Sequence, residues 1–244
     1  MRTETINFPE QSTLSVFPNE KSDLAQAIME LGLKAGHPVI VLIGGKIEEQ
    51  HMDVTREAIQ AIAQTAEDMG AVILCGGTDL GVMAEVGQVR SQNSYKFPLV
   101  GVTPEELVTW PGGPPHKKFL WLGKERWQLE AHYSHFILVP GSQFGDESHW
   151  MGDAATLLSK GQPSVTILIN GGEISRKDIE VSLENGRPVI ALSNTGRLAD
   201  EIARQPERNS LITVLPVVAK HAIAEDLRAA LSINERGENS LLSR

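Results

Sequence analysis

AVILCGGTDLGVM, residues 71–83, is the stretch that decides the fold. Its five leading apolar residues suit a strand buried on both faces. Gly76 and Gly77 permit a tight turn, and Gly81 lets the helix that follows come close to the sheet or to a ligand. Thr78 or Asp79 is placed to cap that helix. The same design recurs on either side, in VIVLIGGK (39–46) and FILVPGSQFGDE (136–147). Strand, small-residue turn and helix in repetition describe an open parallel sheet, whose strand ends share one edge and form a crevice there. Helix N-termini behind the turns carry unpaired N–H groups and positive dipole ends, which favour a phosphate-bearing ligand. The stretch is neither the GxGxxG of dinucleotide folds nor a phosphate loop ending in GK[ST], and no acidic residue sits where a ribose clamp belongs.

Working outward, residues 6–17 read as an extended, proline-punctuated arm. A helix over 22–34 follows, with Leu24, Ile28 and Leu31 on one face and Gly36 as its stop. Strand 38–43 leads to helix 53–68, capped by Asp53; strand 71–75 leads to helix 80–90; strand 98–103 closes the first half. Residues 104–128 break the rhythm with WPGGPPHKKFLWLGKERW, read as a long ordered loop or lid. Its Trp110, Trp121 and Trp127 either anchor it to the body or stack a base. The second half predicts strand 135–139, helix 147–159, strand 164–169 and helix 176–185, the last opened by a capping box of Ser175 and Asp178. Strand 188–192, helix 197–205, strand 211–215 and helix 217–231 complete it.

The expectation is an α/β, doubly wound, mainly parallel sheet of about seven strands with helices on both faces. It divides into an arm and helix (1–36) packed on the domain, the domain itself (37–232) and a polar tail (233–244). The excursion between halves puts the topological switch between strands 38–43 and 135–139, with their glycine turns facing each other.

The 244 residues carry 41% hydrophobic and 22% charged side chains, ordinary for a globular chain. A net charge of −9 argues against nucleic-acid binding, which needs a basic surface. The single Cys75 ends a buried strand and reads as a core thiol. Neither a signal peptide nor an apolar run of membrane-spanning length is seen, so a cytoplasmic protein away from membranes is expected.

Asp146 and Glu147 open a helix, where the dipole alone explains them at roughly 0.3–1 kcal/mol. Glu147 is also a candidate ribose acceptor or general base. His132, His135 and His149 lie near these acids but match no zinc spacing, so no metal is expected. Gly171 and Gly172 end another strand. In SNTGRLADEIA (193–203), Gly196 opens a turn and Arg197 is positioned to grip a phosphate with its forked donors.

Taken together, PVIVLIGG, GAVILCGGTDLGVMAEVG, LEAHYSHFILVPGSQFGDE, PSVTILINGG and RPVIALSNTGRLADEIA resemble, in order, segments of the SLOG superfamily, also called LSDAT. That superfamily includes LOG phosphoribohydrolases, the DNA-processing Smf/DprA proteins and the N-terminal region of melastatin-type TRP channels. The likeness is greatest to that channel region and its stand-alone prokaryotic relatives, over about residues 22–205. The resemblance implies a Rossmann-like domain binding a nucleotide-type ligand, with ADP-ribose and other NAD-derived or nucleoside-phosphate molecules foremost and no further cofactor. On that reading Gly44, Gly45, Lys46, Gly76, Gly77, Thr78, Gly81, Val82 and Met83 contact phosphate or ribose. Gly141, Ser142, Phe144, Gly145 and Glu147 form the opposite wall, with Gly171, Gly172, Thr195, Gly196 and Arg197 at the far end. The domain would be a sensor acting through a separate effector protein, and a homo-oligomer. The alternative is LOG-like N-glycosidic hydrolysis by Glu147 with Arg126, although PGSQFGDE departs from the LOG loop PGGxGTxxE. A third reading turns the pocket into an interaction surface, with the tryptophan-rich loop as the contact.

Overall fold

Aliphatic runs form the strands and amphipathic segments the helices of a computed structural model that describes residues 1–114, 126–205 and 209–232. The strands are β1 (Arg2–Asn7), β2 (Ser12–Phe17), β3 (Val39–Gly44), β4 (Val72–Cys75), β5 (Leu99–Pro104), β6 (Val108–Thr109), β7 (Trp127–Gln128), β8 (His135–Val139), β9 (Ser164–Ile169), β10 (Val189–Ser193) and β11 (Ile212–Pro216). The helices are α1 (Leu24–Glu30), α2 (Met52–Met69), α3 (Gly81–Gln92), α4 (Ser148–Ser159), α5 (Glu173–Glu184), α6 (Arg197–Arg204) and α7 (Lys220–Leu231).

Among the described residues the main sheet holds nine strands in the order β1-β2-β8-β5-β4-β3-β9-β10-β11. All neighbours are parallel except β1 and β2. Alternate residues of each strand feed opposite faces. Ile40, Leu42 and Ile73 join the core beneath α2, α3 and α7, while Val39, Val41 and Leu74 join the core with α1, α4, α5 and α6. The doubly wound fold is therefore present. No described helix is long and apolar enough to cross a membrane.

Two features differ from the sequence reading. The proline-punctuated arm is a hairpin: β1 pairs antiparallel with β2, and β2 pairs with β8, adding two strands to the seven expected. The topological switch lies between β3 and β9, not between β3 and β8. The chain runs outward through β4, β5 and β8, and α4 then carries it back across the sheet to lay β9 beside β3. Strands β4 and β5 thus separate the glycine turn after β3 from the one after β8.

Helix ends also shift. α1 stops at Glu30, where Gly32 at φ +72° lets the N–H groups of Gly32 and Leu33 reach the carbonyls of Met29 and Ile28. Asp53 lies inside the first turn of α2, and no side chain caps that helix. α3 begins after Leu80, and neither Thr78 nor Asp79 caps it. α5 begins after Gly172, which leaves Ser175 and Asp178 buried within the helix instead of forming a capping box.

Of the excursion, the described parts hug the body. Trp110 is buried against Phe17, with ring centroids 5.7 Å apart, and its indole N–H donates to Glu4 at 3.3 Å. Trp121 and the tail from 233 lie outside the described residues. β6 pairs with β7, and the Asp79 N–H donates to the Gln128 carbonyl at 2.8 Å, tying the turn after β4 to the strand that carries Trp127.

Candidate functional site

Three turns meet at the switch because one asparagine holds them. Asn170, at the end of β9, is buried with φ +51°, a left-handed conformation that asparagine tolerates better than most residues. Its Oδ1 accepts from the Gly45 N–H at 2.8 Å and from the Gly171 N–H. Its Nδ2 donates to the Lys46 carbonyl at 3.1 Å. Its own backbone N–H donates to the Thr195 hydroxyl at 2.8 Å, and that hydroxyl donates to the Leu192 carbonyl at 2.6 Å. The turns after β3, β9 and β10 are thereby fixed as one unit. Two amides expected to face a ligand, those of Gly45 and Gly171, are spent on this network.

Beside it opens a cleft of about 410 Å³ along the C-terminal edge of the sheet, within the size range of small-molecule sites. Gly44, Gly45, Gly76, Thr78, Met83, Phe144, Glu147, Gly172 and Arg197 line it, so nine of the residues expected to contact a ligand share one hollow. Leu42, Cys75 and Met151 add apolar surface, and Trp127 and Phe144 add aromatic surface. Burial pushes the Cys75 thiol up to about 11, which keeps it an inert core group.

The cleft is polar in opposite senses at different points. Arg197, the first residue of α6, has φ +53° and reaches between Gly45 and Gly172: a Cβ added at Gly172 would lie 2.6 Å from its Nη2. No carboxylate among the described residues pairs with it. The first turn of α5 (Glu173, Ile174 and Ser175) lines the cleft as well, and helix first turns keep N–H groups without intrahelical partners.

Glu147 and Asp178 supply the acidic counterpart. Glu147 is 6% exposed and accepts from the Gly145 N–H at 2.7 Å. Burial, reinforced by the nearby charge of Asp178, raises its carboxyl to about 7 against the hydrogen bonds that hold it down. Asp178 is 8% exposed and is raised to about 6 by burial, with Ser148 and the Lys177 charge acting the other way. Asp146 does something else: its carboxylate accepts from the N–H groups of Ser142 at 2.9 Å and Gln143 at 3.2 Å, closing the turn, and these bonds hold it below the usual carboxylate range.

The remaining expected residues do not line the cleft. A Cβ on Gly77 would lie 2.8 Å from the Gly101 Cα, so its smallness serves sheet packing. One on Gly81 would overlap the Gly45 carbonyl, and Val82 is core. Lys46 is exposed, Gly141 packs against Asp146 and Pro104, and Gly145 serves Glu147 through its N–H. Ser142 belongs to the turn closed by Asp146. Gly171 and Thr195 belong to the Asn170 network, Gly196 is the N-cap of α6, and Arg126 is exposed at the entry to β7.

His132 lies away from the cleft, between Glu130 at 2.5 Å and Glu10 at 3.3 Å; burial works against its proton, but the two carboxylates outweigh it and raise its pKa. Among the described residues no three His, Cys, Asp or Glu are grouped to hold a metal ion. Sequence reasoning missed Asn170 and the cleft position of Asp178. The only signal for the first was an asparagine directly before Gly171 and Gly172, and the second was masked by its resemblance to a helix cap.

A doubly wound α/β domain with its hollow beside the switch point is the class that fold and cleft define. A sequence profile described as "SLOG in TRPM, prokaryote" matches residues 37–238, and the chain belongs to that family. It is 25% identical over 200 residues to transient receptor potential cation channel subfamily M member 2 of Mus musculus, and 24% identical over 200 residues to that of Rattus norvegicus. Each match takes in 68% of this chain but only 13% of the channel. Among solved structures, the X-ray structure of TM1055 superposes with a TM-score of 0.52 at 18% identity, covering 77% of this chain and 98% of that one.

Proposed function

We propose that the cleft binds a nucleotide-type ligand, with its phosphate at Arg197 and the first turn of α5 and its base beside Trp127 and Phe144. The observation that carries this reading is Arg197 itself. A guanidinium that no carboxylate among the described residues pairs with lines a hollow next to a helix start, where an anion gains charge-assisted hydrogen bonds. Family membership supports a nucleotide-related ligand, and ADP-ribose or another NAD-derived or nucleoside-phosphate molecule fits the cleft's mixture of cation, aromatic and acidic surface. The domain acts as a sensor on this reading, with a separate effector protein reading its occupancy.

A second reading has its own observation. Glu147, buried in the cleft wall and raised to about 7, is poised near neutral pH as a general acid or base. Cleavage of the base–ribose bond of a nucleotide is the reaction it would serve. Arg126, exposed and outside the cleft lining, adds nothing to that case.

A thermal-shift screen of ADP-ribose, cyclic ADP-ribose, NAD, AMP and cytokinin-type monophosphates tests both. Ligand at about a hundred times its Kd stabilises the fold by about 2.7 kcal/mol, or roughly 5–10 °C in a domain of this size. A flat response to all five sinks the binding reading. Release of free base that is lost in Glu147→Gln establishes the second reading.

A further inference from the structure

Asp178 is a buried carboxyl with an oxygen that no group among the described residues bonds. It sits in the middle of α5, not at its cap, since Gly172 is the N-cap. Its side chain is more than nine-tenths buried, yet its Oδ1 has no hydrogen-bond partner. The Ser148 hydroxyl lies beside it and lowers its proton affinity, but in a geometry that falls short of a full hydrogen bond. Lys177, its neighbour in the helix, spends its ammonium on the Gly145 carbonyl. A buried, unpaired carboxyl oxygen is costly, and such groups in native proteins call for an explanation. Here the residue lines the same cleft as Glu147 and Arg197. Its last torsion is soft, so either oxygen can turn toward a donor entering the cleft.

We propose that Asp178 is the specificity-determining residue of this cleft, accepting a hydrogen bond from a sugar hydroxyl of the bound nucleotide. The inference rests on the nucleotide reading of the cleft and names the part of the ligand that Asp178 meets. Charge selects that part. Of the three acids in the lining, Glu173 is 90% exposed and pairs with Arg176 at 3.9 Å, so it opposes a phosphate weakly, whereas the buried Glu147 and Asp178 repel one and Arg197 attracts it. The group beside a nucleotide's phosphate that carries hydrogen-bond donors and no charge is the ribose. Glu147, which accepts from the Gly145 N–H, lines the same cleft. A site built to receive a hydroxyl also rejects the analogue lacking it, because its buried acceptor is then left unpaired.

The test compares AMP and ADP-ribose with their 2′-deoxy and 3′-deoxy counterparts by isothermal titration calorimetry, in the wild-type protein, Asp178→Ala and Asp178→Asn. Wild-type protein is expected to prefer the ribose form over at least one deoxy form by about tenfold or more. Asp178→Ala should bring that ratio to within about twofold by weakening the ribose form alone. Asp178→Asn, which keeps a neutral acceptor of the same shape, should retain part of the preference and guards against a misfolded alanine variant. A ratio that survives in both variants, or equal weakening of ribose and deoxy forms, overturns the role of Asp178 while leaving the nucleotide reading intact. Failure of the wild-type protein to bind either ribonucleotide overturns both.

Discussion

Replacing Glu147 with glutamine should make the protein more stable, by an amount that grows from about pH 4.5 to about pH 7. In water a glutamate ionises near 4.5, whereas in the cleft wall the carboxyl is held at about 7, chiefly by burial. The folded state therefore keeps a proton that the unfolded chain releases between those values. The resulting cost to stability is absent below 4.5, grows as pH rises and is complete above about 7. From the two values the full cost is on the order of 3 kcal/mol, and relaxation around a charge at the wall of an open cleft reduces it. Glutamine keeps an oxygen for the Gly145 N–H and carries no charge. It also relieves Asp178, whose ionisation is coupled to that of Glu147. Glu147→Gln should thus exceed wild type by about 1–3 kcal/mol at pH 8, a rise of roughly 3–9 °C in Tm. At pH 5 only about a quarter of that gain should remain. Differential scanning calorimetry from pH 5 to 8 reads both numbers. A variant that melts below wild type at pH 8, or a difference that does not change with pH, would refute the reasoning. A gain in stability from deleting a cleft carboxyl is what is expected when a residue is kept for function.

Arg197→Ala should weaken a phosphate-bearing nucleotide by about 1.5–3 kcal/mol and leave the unphosphorylated nucleoside unchanged, measured by calorimetric titration. Asn170→Ala removes a buried side chain that bonds two turns to β9. Urea unfolding should show a loss of about 2–4 kcal/mol, and an effect under half a kcal/mol would deny that this residue holds the switch together. Trp127→Phe should retain binding of a base-containing ligand while abolishing the change in tryptophan fluorescence that accompanies it; an undiminished change would place the reporting indole elsewhere.

The alternation of strand and helix was legible along the chain because buried parallel strands write themselves as short apolar runs. Strand order was not. Nothing in FILVPGSQFGDE says that β8 lies against β5 and β2, or that α4 leads back across the sheet to lay β9 beside β3. The hairpin of β1 and β2 escaped notice for a related reason. Prolines at 9 and 18 punctuate a largely polar stretch, and the strand character of Ser12–Phe17 comes from its partners on both sides. Glycine turns were recognisable, but the purpose of each glycine was not: Gly76 lines the cleft, while Gly77 beside it is small because Gly101 and Phe136 leave no room. Ser175 and Asp178 show the converse. A three-residue spacing that suits a helix cap suits a buried helix face equally well, and only the start of α5 at Gly172 separates the two. Arg197 and Glu147 were found from local pattern because each stands at a helix start directly after a glycine turn.

A crystal of the protein grown with ADP-ribose puts the account at greatest risk. It should show a phosphate within hydrogen-bonding reach of the Arg197 guanidinium and the first turn of α5, and a ribose turned toward Glu147 and Asp178. An empty cleft at saturating ligand, or a phosphate seated away from Arg197, would contradict it.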